Sequence, residues 1–477
     1  MPRETGKARE VLTVSDGNPL RERRILAGVS AVPVYRGRFG PAQAERLLWR
    51  AGFGPQPGEA KKLAPKGLRG AVLSLTRPAK EPLRGPIPTD ENGRPLAPAD
   101  AYGHDHLWWL DRMVRTSRPL VERMTLVWHD WFATSNAGVG SQRLMLAQNW
   151  FFRGHALGSF EKLLLGVTKD PAMLIWLSGA QNTRFAPNEN YARELMELFT
   201  LGADRPGGYT ETDVREQARA LTGWRNDYGP VGPFNFRFDP GLHDYGVKLI
   251  FGRQGKFGWK DSCWLCLRHP DHASFFIRKL WSYFVPAEPD AATEAALTRL
   301  YLSSRYAVRP VLEAILQHPQ LYEGPRMVKP PVVYTAGLLR SLGRGINTTE
   351  WVFLNALAGQ QLFYPPNVAG WNESRWLDTA TFRGRWQTAS RVLSRNALDE
   401  SRARPRAPRD PKGILNWALL LNGSPSVSPE TRAALLEFCR RVLEDMDEDP
   451  SKYWPYPLMA VNAARTLLAV APEQQTC

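Results

Sequence analysis

The feature that most constrains this chain is its punctuation. Short stretches of helical apolar periodicity recur from Pro41 onward, most of them opened or closed by proline or glycine. Ala42–Ala51 is amphipathic at a 3.6-residue period and stops at Gly52. The same pattern predicts helices over His106–Thr116, Pro119–Ala133, Gln142–Ala156, Ser159–Val167 and Asn188–Leu201, the last stopped by Gly202. Thr210-Glu-Thr-Asp213 reads as a capping box opening a helix through Leu221. Helices resume over Ser274–Tyr283, Ala291–Leu302, Val308–Gln317 and Pro331–Leu342, and again over Ile414–Leu421, Pro429–Asp445 and Leu458–Leu468. Such a chain is expected to be mainly α, a multi-helix globular core. Residues 225–260 are rich in Gly, Pro, Phe and Asp and alternate at Phe234-Asn-Phe-Arg-Phe238, which predicts a small β-hairpin or loop insertion.

At 477 residues the chain exceeds one ordinary core. We divide it into a basic N-terminal tail or arm (1–40), a helical core (41–395), an Arg/Pro-rich linker (396–412) and a C-terminal helical segment (413–477). A proline-rich loop at 80–100 crosses the core. The formal charge is +15, which favours an anionic ligand or an acidic partner. The cations are spread along the chain and match no nucleic-acid-binding motif, so nucleic acid is not the expected partner. No apolar run approaches 18 residues, so no transmembrane segment is expected. Arg21-Glu-Arg-Arg24 precedes Ile25–Val34, but this run starts late and contains Gly, Ser and Pro. It reads as a tail rather than a signal peptide, and a cytoplasmic location is expected over export. The 17 tryptophans are expected in the core, with a ring-stacking surface for a sugar as the alternative.

Four groups of residues could carry chemistry. In Pro187-Asn-Glu-Asn-Tyr-Ala-Arg-Glu-Leu-Met-Glu-Leu-Phe-Thr-Leu-Gly202, helical spacing turns Tyr191, Leu195 and Leu198 inward and lines Asn190, Glu194 and Glu197 along the next stripe. Two carboxylates at i, i+3 can hold a divalent metal or divide acid and base roles. Alternatively, Glu189, Arg193 and Glu197 form an i, i+4 ion-pair ladder. His129-Asp130, His243-Asp244 (with Lys248) and His104-Asp105-His106 are His–Asp groupings whose convergence would signal a site. Cys263-x-x-Cys266-x-x-His269-x-x-His272 has four zinc-type ligands in ten residues, more tightly spaced than known structural sites. No phosphate-binding Gly loop, nucleophile elbow or H-E-x-x-H pattern is present.

The 187–202 segment resembles the signature of a bacterial family, the domain of unknown function 1800. Ala44–Gly54, Trp128-His-Asp-Trp-Phe132, Tyr209–Arg215, Arg219–Trp224, His243-Asp244 with Lys248, Arg278-Lys-Leu280, Val328-Lys-Pro-Pro331 and Pro366-Asn-Val-Ala-Gly-Trp371 are similar to its other pieces, in the same order. The resemblance spans roughly 41–390 and leaves the C-terminal 80 or so residues outside. It implies a mainly helical protein without an agreed activity. It also implies a possible partner in the alkaline-phosphatase-like family encoded beside relatives.

These positions define the expected site. Glu194, Glu197, His129, Asp130, His243 and Asp244 are the catalytic candidates. Asn188, Asn190, Arg193, Arg219, Lys248, Arg278, Lys279 and Lys329 are the substrate-binding candidates, and Cys263, Cys266, His269 and His272 the metal candidates. The expected function is acid/base or metal-assisted hydrolysis or group transfer on an anionic or carbohydrate substrate. The alternative is a non-catalytic basic scaffold that binds an acidic protein, glycan or envelope component.

Overall fold

The computed structural model describes residues 31–79, 81–90, 92–96, 101–203, 208–394, 408–448 and 456–477. Most of the expected N-terminal arm, most of the linker and part of the proline-rich loop lie outside the described residues. The fold is mainly helical, and proline does much of the starting: Pro41, Pro119, Pro171, Pro270, Pro331 and Pro411 each open a helix. Proline lacks the N–H that a first turn cannot use, and its φ is already helical. The Thr210–Asp213 box closes as expected, with Thr210 N donating to Asp213 Oδ2 at 2.8 Å and Asp213 N to Thr210 Oγ1 at 3.2 Å.

The insertion forms two antiparallel hairpins, β1 (Trp224–Gly229) with β2 (Gly232–Phe238) and β3 (Lys248–Ile250) with β4 (Arg253–Gly255). Two large apolar clusters form the core, and a smaller one joins the Pro411–Leu421, Pro429–Glu448 and Tyr456–Val470 helices. Trp109, Trp128, Trp131, Trp281 and Trp351 are fully buried, which matches the core reading of tryptophan for these five. No helix among the described residues is long and apolar enough to cross a membrane.

The C-terminal segment is stitched into this core. Met327 and Cys477 exchange backbone hydrogen bonds at 2.8 Å each, and Lys329 N donates to Gln475 O at 2.9 Å. Arg50 is buried and donates through Nε and Nη2 to the main-chain oxygen of Cys477, at 3.1 and 2.7 Å.

The signature segment departs from its expected geometry. It is α-helical over Asn190–Glu194, then widens into a π turn over Leu195–Thr200. Widening shifts the faces: Met196 and Phe199 are buried, while Leu198 is only partly so. Three successive carbonyls at its end accept side-chain donors from other motif segments: Leu198 from Lys279 Nζ at 2.7 Å, Phe199 from Trp131 Nε1 at 3.1 Å, and Thr200 from His272 Nδ1 at 3.0 Å. A helix C-terminus leaves such carbonyls open, and a cation there also meets the negative end of the helix dipole.

Candidate functional site

The Pro119–Trp131 helix delivers Asp130 on its last turn into a part-buried position. Its carboxylate accepts from Tyr283 Oη at 2.6 Å and from Trp371 N at 2.9 Å. Gly370, at φ +89°, lets the 366–371 loop approach: a Cβ there would lie 2.3 Å from Asp130 Oδ1. Burial raises the Asp130 pKa, and the hydrogen bonds from Tyr283 and Trp371 act against that rise.

Three more ionisable groups face this carboxyl. Lys279 is pushed down to about 8 by burial, partly offset by Asp130, and its ammonium sits 4.7 Å from the Trp131 ring centroid. Glu373 stands on an exposed turn, yet it is held up to about 7, first by desolvation and then by the negative charge of Asp130. Because the residue is exposed overall, solvent screens part of that rise, and its direction is upward. Arg123, two helical turns before Asp130, is buried, and its Nε and Nη1 have no hydrogen-bond partner. Its charge interacts first with Cys477 and then with Glu373, Tyr283 and Asp130. Unpaired guanidinium N–H groups in such a place are costly and are available to an anionic group.

This cluster gathers pieces of the Trp128–Phe132, Arg278–Leu280 and Pro366–Trp371 segments, with the end of the signature helix beside them. The chain belongs to the family described as protein of unknown function (DUF1800). The model of that family matches residues 46–476. The match therefore runs well past residue 390 and takes in the C-terminal helices. No curated protein and no solved structure matches the chain. Membership in the DUF1800 family thus leaves the chemistry to be argued from the side chains.

The structure disperses several of the other expected residues. His129 is buried, has an unpartnered Nε2, lies among the rings of Trp109, Phe152, Phe363 and Trp371, and is held down to about 3 by burial. It is therefore neutral near pH 7 and unsuited to shuttling protons there. His243 Nδ1 faces Thr222 O at 2.8 Å, and Asp244 is taken up by Arg219 at 2.8 Å. Lys248 is buried and donates to the carbonyls of Asp244 and Gly246. This knot ties the Glu211–Ala220 helix to β3, and Leu249 N donates to Glu216 at 3.1 Å. His106 accepts from Leu362 N at 3.0 Å, and Asp105 accepts from His106 N at 2.7 Å. The three His–Asp groupings thus have three separate sets of partners.

On the signature helix Arg193 bonds Glu211 twice at 2.8 Å and also reaches Glu189 and Glu197 at 3.2 and 3.5 Å. That is the ladder alternative. Glu194 is half-buried, with its pKa raised by burial and by Glu197, and it has no hydrogen-bond or ion-pair partner among the described residues. Asn188 and Asn190 shape the helix entry, where Asn190 N donates to Asn188 Oδ1 at 2.9 Å. Arg278 pairs with Glu294 at 2.8 Å on the surface. Lys329 lies elsewhere: its Nζ is 3.6 Å from the Trp49 ring centroid and donates to Gln474 O at 2.9 Å.

The zinc-type quartet does not assemble. Cys263 Sγ meets Thr168 Oγ1 at 3.1 Å, while Cys266 Sγ accepts from Gln217 Nε2 at 3.2 Å. Both thiols are buried, and burial pushes Cys263 up to about 12. His272 uses both ring nitrogens, on Thr200 O and on Tyr301 Oη at 3.1 Å. His269 caps the next helix by accepting from Asp271 N at 3.3 Å. These residues lie on consecutive helices, Trp259–Leu267 and Pro270–Ser282, whose packing sends each side chain to a different neighbour. Among the described residues no group of three or more His, Cys, Asp or Glu is placed to hold a metal ion.

Sequence reasoning missed Arg123, Tyr283 and Glu373. Two of them had a readable signal: Arg123 is seven residues from Asp130 and Tyr283 four from Lys279, spacings that share a helix face. Glu373 had none, because a tertiary contact brings its turn to Asp130.

Proposed function

We propose that the protein is an acid–base hydrolase or transferase acting on an anionic or carbohydrate substrate, with Asp130 and Glu373 as its paired carboxyls. The observation that carries this reading is their contrast. Asp130 is part-buried and doubly hydrogen-bonded, whereas Glu373 is exposed and held up to about 7 beside it. Pairs of carboxyls whose environments differ are how proteins divide acid and base roles near neutral pH. Glu373 gives or takes the proton. Burial first, and then the charge of Asp130, positioned by Tyr283, hold the Glu373 pKa in the working range. Arg123 offers its free N–H groups to substrate charge or to charge that develops during reaction.

The test is turnover of nitrophenyl esters, phosphates and glycosides by the wild type, Glu373→Gln and Asp130→Asn. The expected outcome is hydrolysis of at least one class, with a pH profile that has a midpoint near 7. Glu373→Gln should lower kcat about 10²–10⁴-fold, the usual contribution of one general acid or base. Full activity in both variants would sink the assignment.

A second reading, a non-catalytic partner for an acidic protein or glycan, is supported by Arg193. The most distinctive segment of the chain spends its charges on a ladder with Glu189, Glu197 and Glu211. That reading gains if no substrate class turns over and the protein instead retains an acidic partner in a salt-sensitive way.

A further inference from the structure

Away from Asp130, two cavities meet beside Trp49 where the first helix, Pro41–Arg50, faces the C-terminal helices. The larger is about 400 Å³, and its walls include Pro41, Pro55, Tyr334, Leu338 and Leu420. The smaller is about 210 Å³ and is lined by Arg46, Arg326 and Tyr322 among others. Ala42, Glu45, Trp49 and Ser426 line both, so the two form one cleft. The larger part alone falls within the roughly 300–1,000 Å³ of small-molecule sites, which favour seams of this kind.

The two ends differ in chemistry. The large end offers ring, proline and leucine surface with scattered hydroxyls and amides. The small end carries two guanidinium groups without a carboxylate partner among the described residues. Arg46 Nη2 donates to the carbonyls of Gly324 and Pro325, at 2.6 and 3.0 Å, and its Nε is buried with no partner. Arg326 donates to Thr476 Oγ1 at 2.8 Å and to the Glu473 and Thr476 carbonyls at 3.2 Å. Carbonyls satisfy geometry without cancelling the charge. Negative charge is also present at this end, from Cys477, which acts on Arg46, and from Glu473 and Glu45, which hold neutral donors. Glu473 accepts from Ser428 N and Thr431 Oγ1, both at 2.9 Å, and Glu45 accepts from Ser426 Oγ at 3.1 Å. Lys329, held down to about 7 by burial, stands behind Trp49 and lines neither cavity.

We infer that this cleft binds an amphiphile with one anionic head, seated at Arg46 and Arg326, and an apolar body lying past Trp49 into the larger cavity. The free Arg46 Nε–H supplies a charge-assisted hydrogen bond to the head. Glu45, at the junction, disfavours a second negative charge along the body and so selects a terminal monoanion. The inference does not depend on the Asp130 cluster.

The test is calorimetric titration of the intact protein with decanoate, decanol and decylamine below their aggregation limits. Decanoate should bind at least ten-fold more tightly than decanol, and decylamine more weakly than either. Arg46→Gln should cost decanoate at least ten-fold and leave decanol within two-fold. Ala42→Trp, at an exposed position lining both cavities, should abolish both. Equal binding of acid and alcohol, preference for the amine, or no binding by any of the three would overturn the inference. If Arg46→Gln loses its melting transition, the Ala42→Trp comparison decides it alone.

Discussion

Two clusters of like composition sit on neighbouring elements and behave differently. Around Asp130, the carboxyls of Asp130 and Glu373, the cations Arg123 and Lys279 and the Tyr283 hydroxyl act on one another, and burial shifts their pKa values. Around Arg193, three glutamates and one arginine lie near solvent and pair with one another. Water screens the second group, so its pairs contribute little. The first group, Glu373 excepted, is more deeply buried, so each missing or extra proton matters more there. Functional candidacy follows enclosure, not the density of charged letters. The most conspicuous motif in the sequence marks a helix whose carbonyl end Lys279, Trp131 and His272 complete.

The sharpest way to break this comparison is Gly370→Ala. A Cβ at φ +89° and 2.3 Å from Asp130 Oδ1 must displace the loop, and a loss of about 3 kcal/mol or more is expected in denaturant unfolding. Unchanged stability would mean that the loop does not enclose Asp130. Tyr283→Phe comes next. It strips one hydrogen bond from a part-buried carboxylate and should cost about 1–2 kcal/mol by the same measurement.

The pH dependence of stability sharpens it further. Glu373 is raised in the fold, so the folded state binds more protons than the unfolded one between the ordinary carboxyl range and about 7, and its contribution falls as pH rises through that window. The difference in melting temperature between Glu373→Gln and wild type should therefore grow from pH 5 to pH 8 in favour of the variant. Lys279 has the opposite sign. Its lowered pKa means the unfolded state binds more protons from about 8 up to the ordinary lysine range, so its contribution improves as pH rises there. Lys279→Met should flatten that upper limb. The smallest effect belongs to the ladder: Arg193→Gln should cost about 1 kcal/mol or less, and the cost should disappear in 0.5–1 M salt, conditions of roughly 3–4 Å screening. A larger, salt-resistant loss would show that the ladder is enclosed after all.

Much of the fold was legible because it rests on local rules. Proline at first turns, Gly202 at a helix end and the Thr210–Asp213 box act within a few residues, and the structure keeps them. The hairpin at 224–238 followed from alternation and glycine in the same way. The widened turn at Leu195–Thr200 was not legible, because a π turn and an α turn share the same residues. Partners brought by the Pro119–Trp131 and Pro270–Ser282 helices occupy its last carbonyls.

Sequence by itself determined the helical class, the hairpin insertion and the kinship with the DUF1800 family, since each depends on residue order. It also supplied Asp130 and Lys279 as members of a polar set. Tertiary structure alone decided which members meet. His129 and Asp130 are adjacent in the chain, yet the helix turns one into a ring-lined core and the other toward Tyr283 and Glu373. Burial, which sets the energy of every charge here, is a property of the assembled fold and not of any one segment.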